Sequence, residues 1–180
     1  MNKILVVGYP GAGKGTQAKF LKEFELAHIS TGDVIRTSIN PKIIKYRDED
    51  YSKGELLSDK LIFEIIRKEI SNLPKDTKGY ILDGAVRTLA QAKYAKYHQM
   101  VDKVIFFEIS KETAIKRLLD RHEGRTDDTP KAIEHRFEEY KEKTKPILDY
   151  LKENFEFYTI DAEPTVQEIR LEVLKVLNLN

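Results

Sequence analysis

The chain has 180 residues, enough for one domain that buries about 70 % of the surface of its unfolded chain. Its 31 basic and 30 acidic side chains give a net charge of +1, so no bulk field favours nucleic acid or an anionic membrane, and any positive site must be local. The absence of cysteine excludes disulfides and cysteine-bound zinc.

Histidine spacing and hydropathy exclude further classes. The four histidines, His28, His98, His122 and His135, do not have the spacing of a metal site, and we expect a structural or surface role for each. No apolar stretch approaches the ~20 residues that cross a membrane. The apolar run over residues 4–7 is too short for a signal peptide. We therefore expect a cytoplasmic monomer or small homo-oligomer with no nucleic-acid or membrane partner.

The first predicted strand, residues 3–7, leads through a glycine-rich loop over residues 8–16 into a helix predicted for residues 15–24. The loop fits the pattern G-x-x-x-x-G-K-[ST] up to Lys14, but Gly15 stands where a hydroxyl would normally meet magnesium. Backbone N–H groups converge in such a loop, and the helix N-terminus adds partial positive charge. The segment therefore predicts a nucleoside-triphosphate site, with Lys14 as a mobile charge for the outer phosphates.

The next segment contains short elements. Residues 27–30 predict a second strand, and residues 31–33, Thr-Gly-Asp, predict a turn and N-cap ahead of a helix over residues 34–38. Pro41 ends that helix, because the residue before a proline avoids the helical conformation. Residues 42–53 carry a weak helical pattern.

The middle of the chain has stronger patterns. Ser58 predicts the cap of an amphipathic helix whose apolar face runs over residues 61–70. A third strand over residues 79–83, a helix over residues 88–98 and a strongly apolar fourth strand over residues 104–109 follow.

The last third continues the alternation. It contains, in order, a helix over residues 111–121 capped by Ser110, a short polar segment over residues 123–130, a helix over residues 131–154 interrupted near Pro146, a fifth strand over residues 155–160 and a helix opened by the capping box Thr165-Val166-Gln167-Glu168.

This alternation of strands and helices predicts an α/β, three-layer phosphate-loop fold: a five-stranded parallel sheet with helices on both faces. Ligands collect at the carboxyl ends of such strands, where Gly8, Thr31 and Asp83 all fall.

Asp83 closes the hydrophobic third strand. In phosphate-loop enzymes a carboxylate at this place orients magnesium, often through water. The alternative is an ordinary turn or helix-capping aspartate. The glycine loop beside it favours the magnesium role.

Five of the six arginines that follow the third strand lie in the middle of the chain, and they are Arg87, Arg117, Arg121, Arg125 and Arg136. Phosphoryl transfer needs positive groups around the moving phosphate, and guanidinium forks match phosphate oxygens. Arginines on helices are also commonly solvated or paired with glutamates. The residues alone leave both interpretations open.

The motifs together resemble the adenylate kinase family, in its short-lid form, almost from end to end. The matching motifs are the loop over residues 8–16, Ser30-Thr31-Gly32-Asp33-Val34-Ile35-Arg36, Gly54-Glu55-Leu56-Leu57-Ser58-Asp59, Leu82-Asp83-Gly84 with Arg87-Thr88 and Gln91, and Arg125-Thr126-Asp127-Asp128 with Arg136. The resemblance implies reversible transfer of a phosphoryl group from ATP to AMP, giving two ADP, with Mg²⁺. It also implies a single kinase domain over residues 1–180, with a small nucleoside-monophosphate (NMP)-binding insertion over residues 31–60 and a short lid over residues 121–131.

The resemblance also implies roles for individual residues. Contacts to ATP would come from Gly11, Ala12, Gly13, Lys14, Gly15, Thr16, Arg117, Arg121 and, through its backbone, Glu163. Contacts to AMP would come from Thr31, Arg36, Glu55, Leu56, Leu57, Gly84, Ala85, Val86, Arg87, Gln91, Arg125 and Arg136. The groups around the transferring phosphoryl would be Lys14, Arg87, Arg121, Arg125 and Arg136, and Asp83 would hold Mg²⁺ through water.

Two departures and two alternatives bear on this interpretation. The family usually has Gly-Phe-Pro-Arg where this chain has Gly84-Ala85-Val86-Arg87, so an aromatic wall and a proline turn are missing, which leaves the placement of Arg87 and the AMP affinity open. The lid has only a few residues and no cysteine, so water exclusion relies on arginines and closure.

The alternative functions are a UMP/CMP-type kinase, which Thr31 and Gln91 disfavour by resemblance, and a non-catalytic nucleotide-dependent assembly factor.

Overall fold

The computed structural model describes residues 1–50, 57–120 and 129–179. Its strands are β1 (Asn2–Gly8), β2 (Leu26–Ser30), β3 (Gly79–Asp83), β4 (Lys103–Glu108) and β5 (Glu156–Asp161). They form one parallel sheet in the order β2-β3-β1-β4-β5, which confirms the predicted five-stranded parallel sheet.

Helices connect the strands. They are α1 (Lys14–Phe20), α2 (Thr31–Thr37), α3 (Pro41–Glu49), α4 (Asp59–Ser71), α5 (Leu89–Tyr97), α6 (Lys111–Leu119), α7 (Pro130–Glu139), α8 (Leu148–Asn154) and α9 (Val166–Leu177). Within the described ranges, no helix has both the length and the hydropathy that crossing a membrane requires.

The sheet separates two hydrophobic cores. Alternate residues of β1 face opposite sides, so Leu5 and Val7 pack with α2, α4 and α5, whereas Ile4 and Val6 pack with α1, α6 and α9. All four side chains are buried. The predicted three-layer architecture is confirmed.

The strand register brings the predicted functional segments to one edge. Asp83 at the end of β3 pairs with Val6 of β1 on one side and with Ser30, the last residue of β2, on the other. β1 ends at Gly8, where the glycine loop begins. The phosphate loop, Thr31 and Asp83 therefore share the carboxyl edge of the sheet.

Two predicted helix starts differ in detail from the structure, one in its position and the other in its capping bond. The triplet over residues 31–33 forms the first turn of α2 and not a turn before it, because the side chain of Ser30 accepts a hydrogen bond from the backbone N–H of Asp33 at 3.2 Å. Ser58 is the N-cap of α4, as predicted, but its side chain makes no capping bond to the described residues. Its carbonyl accepts from Ile62 instead.

Two long predicted helices are composite. The one predicted for residues 15–24 consists of α1 and a 3₁₀ turn, Leu21–Phe24. The one predicted for residues 131–154 is interrupted after α7 by a π-helical turn, Tyr140–Thr144, and a 3₁₀ turn, Lys145–Ile147, before α8 begins. Pro146 lies in this interruption, as predicted, because proline has no N–H for the helical ladder.

Candidate nucleotide-binding site

A cleft of about 450 Å³ opens at the carboxyl edge of the sheet. The predicted site residues that line it are Gly11, Gly13, Lys14, Gly15, Thr16, Arg36, Asp83, Gly84, Val86, Arg87, Arg117 and Arg136. A smaller hollow beside it shares Gly84 and Arg87 with the cleft, and its lining includes Thr31, Leu57 and Gln91. The predicted residues Glu55, Leu56, Arg121 and Arg125 lie outside the described ranges.

The glycine loop needs glycine at specific positions. Gly11 has φ +88°, and a Cβ built on it would lie 2.4 Å from the carbonyl oxygen of Ala114 in α6. Gly13, the N-cap of α1, has φ +81°. Both conformations are unfavourable for residues with a side chain. The loop therefore lies close against α6 and presents backbone N–H groups at the start of a helix, which is the arrangement that binds phosphate.

Lys14 reaches back across the loop. Its Nζ donates hydrogen bonds to the carbonyl oxygens of Gly8 at 2.8 Å and Tyr9 at 2.7 Å. The ammonium group is thereby held at the cleft beside the loop. A point charge on a flexible stem can move from such carbonyls to phosphate oxygens.

Asp83 lies opposite the loop. Its Oδ2 is 3.3 Å from Nε2 of His28, and a Cβ built on Gly15 would lie 3.3 Å from the same oxygen. Burial raises the pKa of the Asp83 carboxyl, but the His28 hydrogen bond and the charges of Lys14, His28 and Arg87 outweigh it, so that the pKa lies below its usual value. Gly15 leaves room for an ionised carboxylate, which is a suitable ligand for Mg²⁺.

The acceptor side of the cleft is built around Gly84. This residue has φ +76°, and a Cβ built on it would lie 2.7 Å from Oγ1 of Thr31 and 3.1 Å from Nη2 of Arg87. The Thr31 hydroxyl donates to the carbonyl oxygen of Asp83 at 3.2 Å. The Arg87 guanidinium therefore lies against the backbone of Gly84, next to Thr31.

Gln91 is almost fully buried, and its amide joins three segments. Its Oε1 accepts from the backbone N–H of Arg87 at 2.6 Å and of Thr88 at 3.2 Å, completing a capping box at the start of α5. Its Nε2 donates to Oδ1 of Asp59, the first residue of α4, at 2.7 Å. The amide orientation is set by these bonds, and Gln91 lines the smaller hollow.

The residues that replace the family's Phe-Pro pair belong to the core. Ala85 is fully buried and Val86 is 4 % exposed, and both pack in the cluster that α4 and α5 cover. All peptide bonds in the described ranges are trans. Packing of small apolar side chains thus fixes the turn between Gly84 and Arg87.

Arg117 of α6 holds the loop that follows β5. Its guanidinium donates to the carbonyl oxygens of Ala162 at 2.7 Å, Glu163 at 3.1 Å and Pro164 at 3.0 Å. The Glu163 side chain accepts from the backbone N–H of Ser110 at 2.7 Å. The backbone predicted to touch the ATP base is therefore bound to α6 from two directions.

The remaining predicted residues occupy several places. Ala12, within the glycine loop, is fully buried. Arg36 of α2 pairs with Asp33 one turn earlier and lines the cleft. Arg136 of α7 also lines the cleft.

Sequence reasoning missed several residues of the cleft, which are Gln17, His28, Glu139, Tyr140 and Thr144. His28 could have been found, because it lies two residues before Ser30 on β2 and therefore shares its face. The others come from helices whose packing no local pattern reveals.

Comparison with known proteins agrees with the motifs. A family model described as adenylate kinase matches residues 6–156. Adenylate kinase from Prochlorococcus marinus (strain MIT 9211) is 39% identical over 99% of this chain and 98% of its own length. Adenylate kinase from Flavobacterium psychrophilum is 38% identical over 99% of both chains, and that from Prochlorococcus marinus (strain MIT 9313) is 36% identical over 97% of this chain and 98% of its own.

Proposed function

The chain belongs to the adenylate kinase family, and we propose that it is a phosphotransferase that interconverts ATP and AMP with two ADP. The observation that carries this proposal is that the glycine loop with Lys14 and the acceptor edge with Arg87 open into one cleft. In the reaction, an oxygen of the AMP phosphate bonds to the γ-phosphorus of ATP while the bond to the β–γ bridging oxygen breaks.

On the donor side, the loop from Gly11 to Thr16 holds the ATP phosphates through its backbone N–H groups. The Lys14 ammonium leaves the carbonyls of Gly8 and Tyr9 for the γ-phosphoryl, where it balances the charge of the transition state. Arg117 supports the base-binding loop at Glu163 through its three carbonyl contacts.

On the acceptor side, Arg87 and Arg36 bind the phosphate of AMP. Thr31 and Gln91 line the smaller hollow with Leu57, and we assign the base and ribose of AMP to this side of the site. Gly84, Ala85 and Val86 form the turn that carries Arg87. Arg136 also lines the cleft, and we assign its guanidinium to the moving phosphoryl.

Adenylate kinases generally use ATP with Mg²⁺, which shields the phosphate charge and orients the oxygens of the donor. We assign its site here to the ionised carboxylate of Asp83. His28 holds that carboxylate in place, and Gly15 leaves the space beside it open.

Closure of the site is assigned to two small units. These are the NMP-binding insertion over residues 31–60 and the short lid over residues 121–131, with Glu55, Leu56, Arg121 and Arg125 supplying further contacts to the nucleotides. Cytoplasmic location and a monomeric or small homo-oligomeric state remain predictions from the sequence.

The test is ADP formation by the purified chain from ATP and each of AMP, UMP, CMP and GMP, with and without Mg²⁺. We expect the highest kcat/KM with AMP and a requirement for Mg²⁺. A kcat/KM about tenfold higher with CMP than with AMP would reassign the acceptor. Absence of ADP formation at micromolar enzyme would favour a non-catalytic nucleotide-binding role.

A further inference from the structure

Thr144 makes an unusual hydrogen bond for a helical threonine. It is buried, at 6 % exposure, and ends the π-helical turn between α7 and the 3₁₀ turn at Pro146. Threonine hydroxyls in helices ordinarily donate to a carbonyl one turn earlier in the same helix. The Thr144 hydroxyl instead donates to the carbonyl oxygen of Arg87, 57 residues away, at 3.2 Å.

This bond completes a clamp on the backbone of Arg87. The N–H of Arg87 donates to Oε1 of Gln91 at 2.6 Å, and the carbonyl of Arg87 accepts from Thr144. The polar groups on both sides of the Arg87 Cα are therefore held by buried side chains from two different elements, α5 and the π-helical turn. Ala85 and Val86 hold the preceding turn by packing alone.

The clamp fixes the base of a long side chain. The guanidinium of Arg87 lies against Gly84 and beside Thr31, and a small rotation of the Arg87 backbone would displace it by a larger distance at its far end. Effective phosphoryl transfer needs groups held within a fraction of an ångström of their working positions.

We propose that Thr144 is a positioning residue that orients Arg87 toward the acceptor phosphate by holding its carbonyl group. The inference rests on the proposed function, in which Arg87 binds the phosphate of AMP. Thr144 itself does not touch the substrate in this role. Its π-helical turn serves to direct the hydroxyl out of the helix and toward the acceptor edge.

A purely structural role for Thr144 predicts a different result. A residue that only packs the π-helical turn would change the kinetic parameters for ATP and AMP alike, together with thermal stability. A residue that acts through Arg87 affects the AMP parameters selectively. Replacing such a residue also has no further effect on the AMP parameters when the Arg87 side chain is absent.

The first experiment compares steady-state kinetics of Thr144→Val, Thr144→Ser and wild type, with Thr159→Val on the exposed face of β5 as the matched control. Loss of one hydrogen bond predicts that Thr144→Val lowers kcat/KM for AMP about five- to tenfold, with KM for ATP changed less than about twofold. Thr144→Ser, which keeps the hydroxyl, and Thr159→Val should stay within about twofold of wild type. Equal changes for ATP and AMP, or no change, would overturn the proposal.

The second experiment adds Thr144→Val to Arg87→Ala. We expect Arg87→Ala to lower kcat/KM for AMP strongly, and the double variant to lose less than about twofold more. If the double variant instead has a kcat/KM for AMP about five- to tenfold below that of Arg87→Ala, the effect of Thr144 does not depend on Arg87, and the proposal is overturned. If Arg87→Ala alone keeps wild-type kinetics, the assignment of Arg87 under the proposed function fails. If only Thr144→Val is without effect, the inference on Thr144 fails alone. Should Thr144→Val not fold, Thr144→Ala takes its place in both experiments.

Discussion

Asp83 at the end of β3 and His28 in β2 are paired side chain to side chain, with Oδ2 and Nε2 3.3 Å apart. The register that sets Ser30 beside Asp83 sets His28 two residues earlier on the same face. The carboxylate is thus held between the sheet and the glycine loop, where Lys14 and Arg87 also lower its pKa.

This pairing predicts acid-dependent stability. Burial raises the pKa of Asp83, but the His28 bond and the neighbouring cations outweigh this effect, so the folded pKa lies below the ordinary value of an aspartate. A lowered carboxyl pKa contributes stability above the unfolded pKa, and that contribution is lost as the pH falls through the folded pKa. We expect Asp83→Asn to melt below wild type at neutral pH, with the difference narrowing below about pH 4. Thermal melts over this range test it, with exposed Asp120→Asn as control. A difference in melting temperature between Asp83→Asn and wild type that stays constant as the pH falls would contradict the prediction.

Replacing Lys14 is predicted to lower the rate of catalysis without lowering the stability of the fold. Lys14 lies where the glycine loop meets α1, and its ammonium donates to the carbonyls of Gly8 and Tyr9, so Lys14→Met should leave the fold intact. Loss of a charge that stabilises the moving phosphoryl should lower kcat by about a hundredfold or more. Coupled assays of ADP formation and thermal melts measure the two effects, with exposed Lys22→Met as the control. Retention of most of the wild-type kcat would refute the assigned role, and a lost thermal transition would point to a fold role instead.

Gly84 gives a prediction about the acceptor side. Gly84→Ala would place a side chain at φ +76°, with its Cβ 2.7 Å from Oγ1 of Thr31 and 3.1 Å from Nη2 of Arg87. Backbone strain costs about 1–2 kcal/mol of stability, and displacement of Arg87 should raise KM for AMP more than KM for ATP. Asn178→Ala is the matched control, because Asn178 also has a positive φ but ends α9 away from the cleft. Equal effects of both variants on KM for AMP would argue against the assigned role of Gly84.

The fold follows closely from local sequence signals. The predicted third strand has the same bounds as β3, and the predicted capping box at Thr165 forms with both of its bonds. Buried apolar runs and capping side chains act over a few residues, so they can be read without the tertiary structure. The start of α2 was misplaced because Ser30 and Thr31 are both residues that favour an N-cap.

The site could be predicted only in part. The glycine loop and Asp83 lie at strand ends, where the topology of a parallel sheet alone brings them together. The contacts of Thr144 with Arg87 and of His28 with Asp83 join residues 57 and 55 positions apart. The His28 contact follows from the alternation of β2 only when the strand register is known, and the Thr144 contact depends on a π-helical turn, which leaves no local pattern in the sequence.

Arg117 gives the last prediction, on the donor side. Its three bonds to the carbonyls of residues 162–164 hold the loop after β5 against α6, and only the planar, five-donor guanidinium can make all of them at once. Arg117→Ala should therefore raise KM for ATP about tenfold while KM for AMP stays within about twofold, because loss of these bonds frees the loop predicted to touch the ATP base. Arg117→Lys should recover only part of the loss, since an ammonium cannot span three carbonyls.

The control for this prediction is Lys116→Ala, which removes an exposed cation one position earlier on α6 and should leave both KM values unchanged. Thermal melts separate loosening of the loop from unfolding of the domain. Because Arg117 acts on ATP through the loop that it holds, replacing it should raise KM for ATP more than it lowers kcat. A fall in kcat with an unchanged KM for ATP would instead assign Arg117 a direct contact with the transferring phosphoryl.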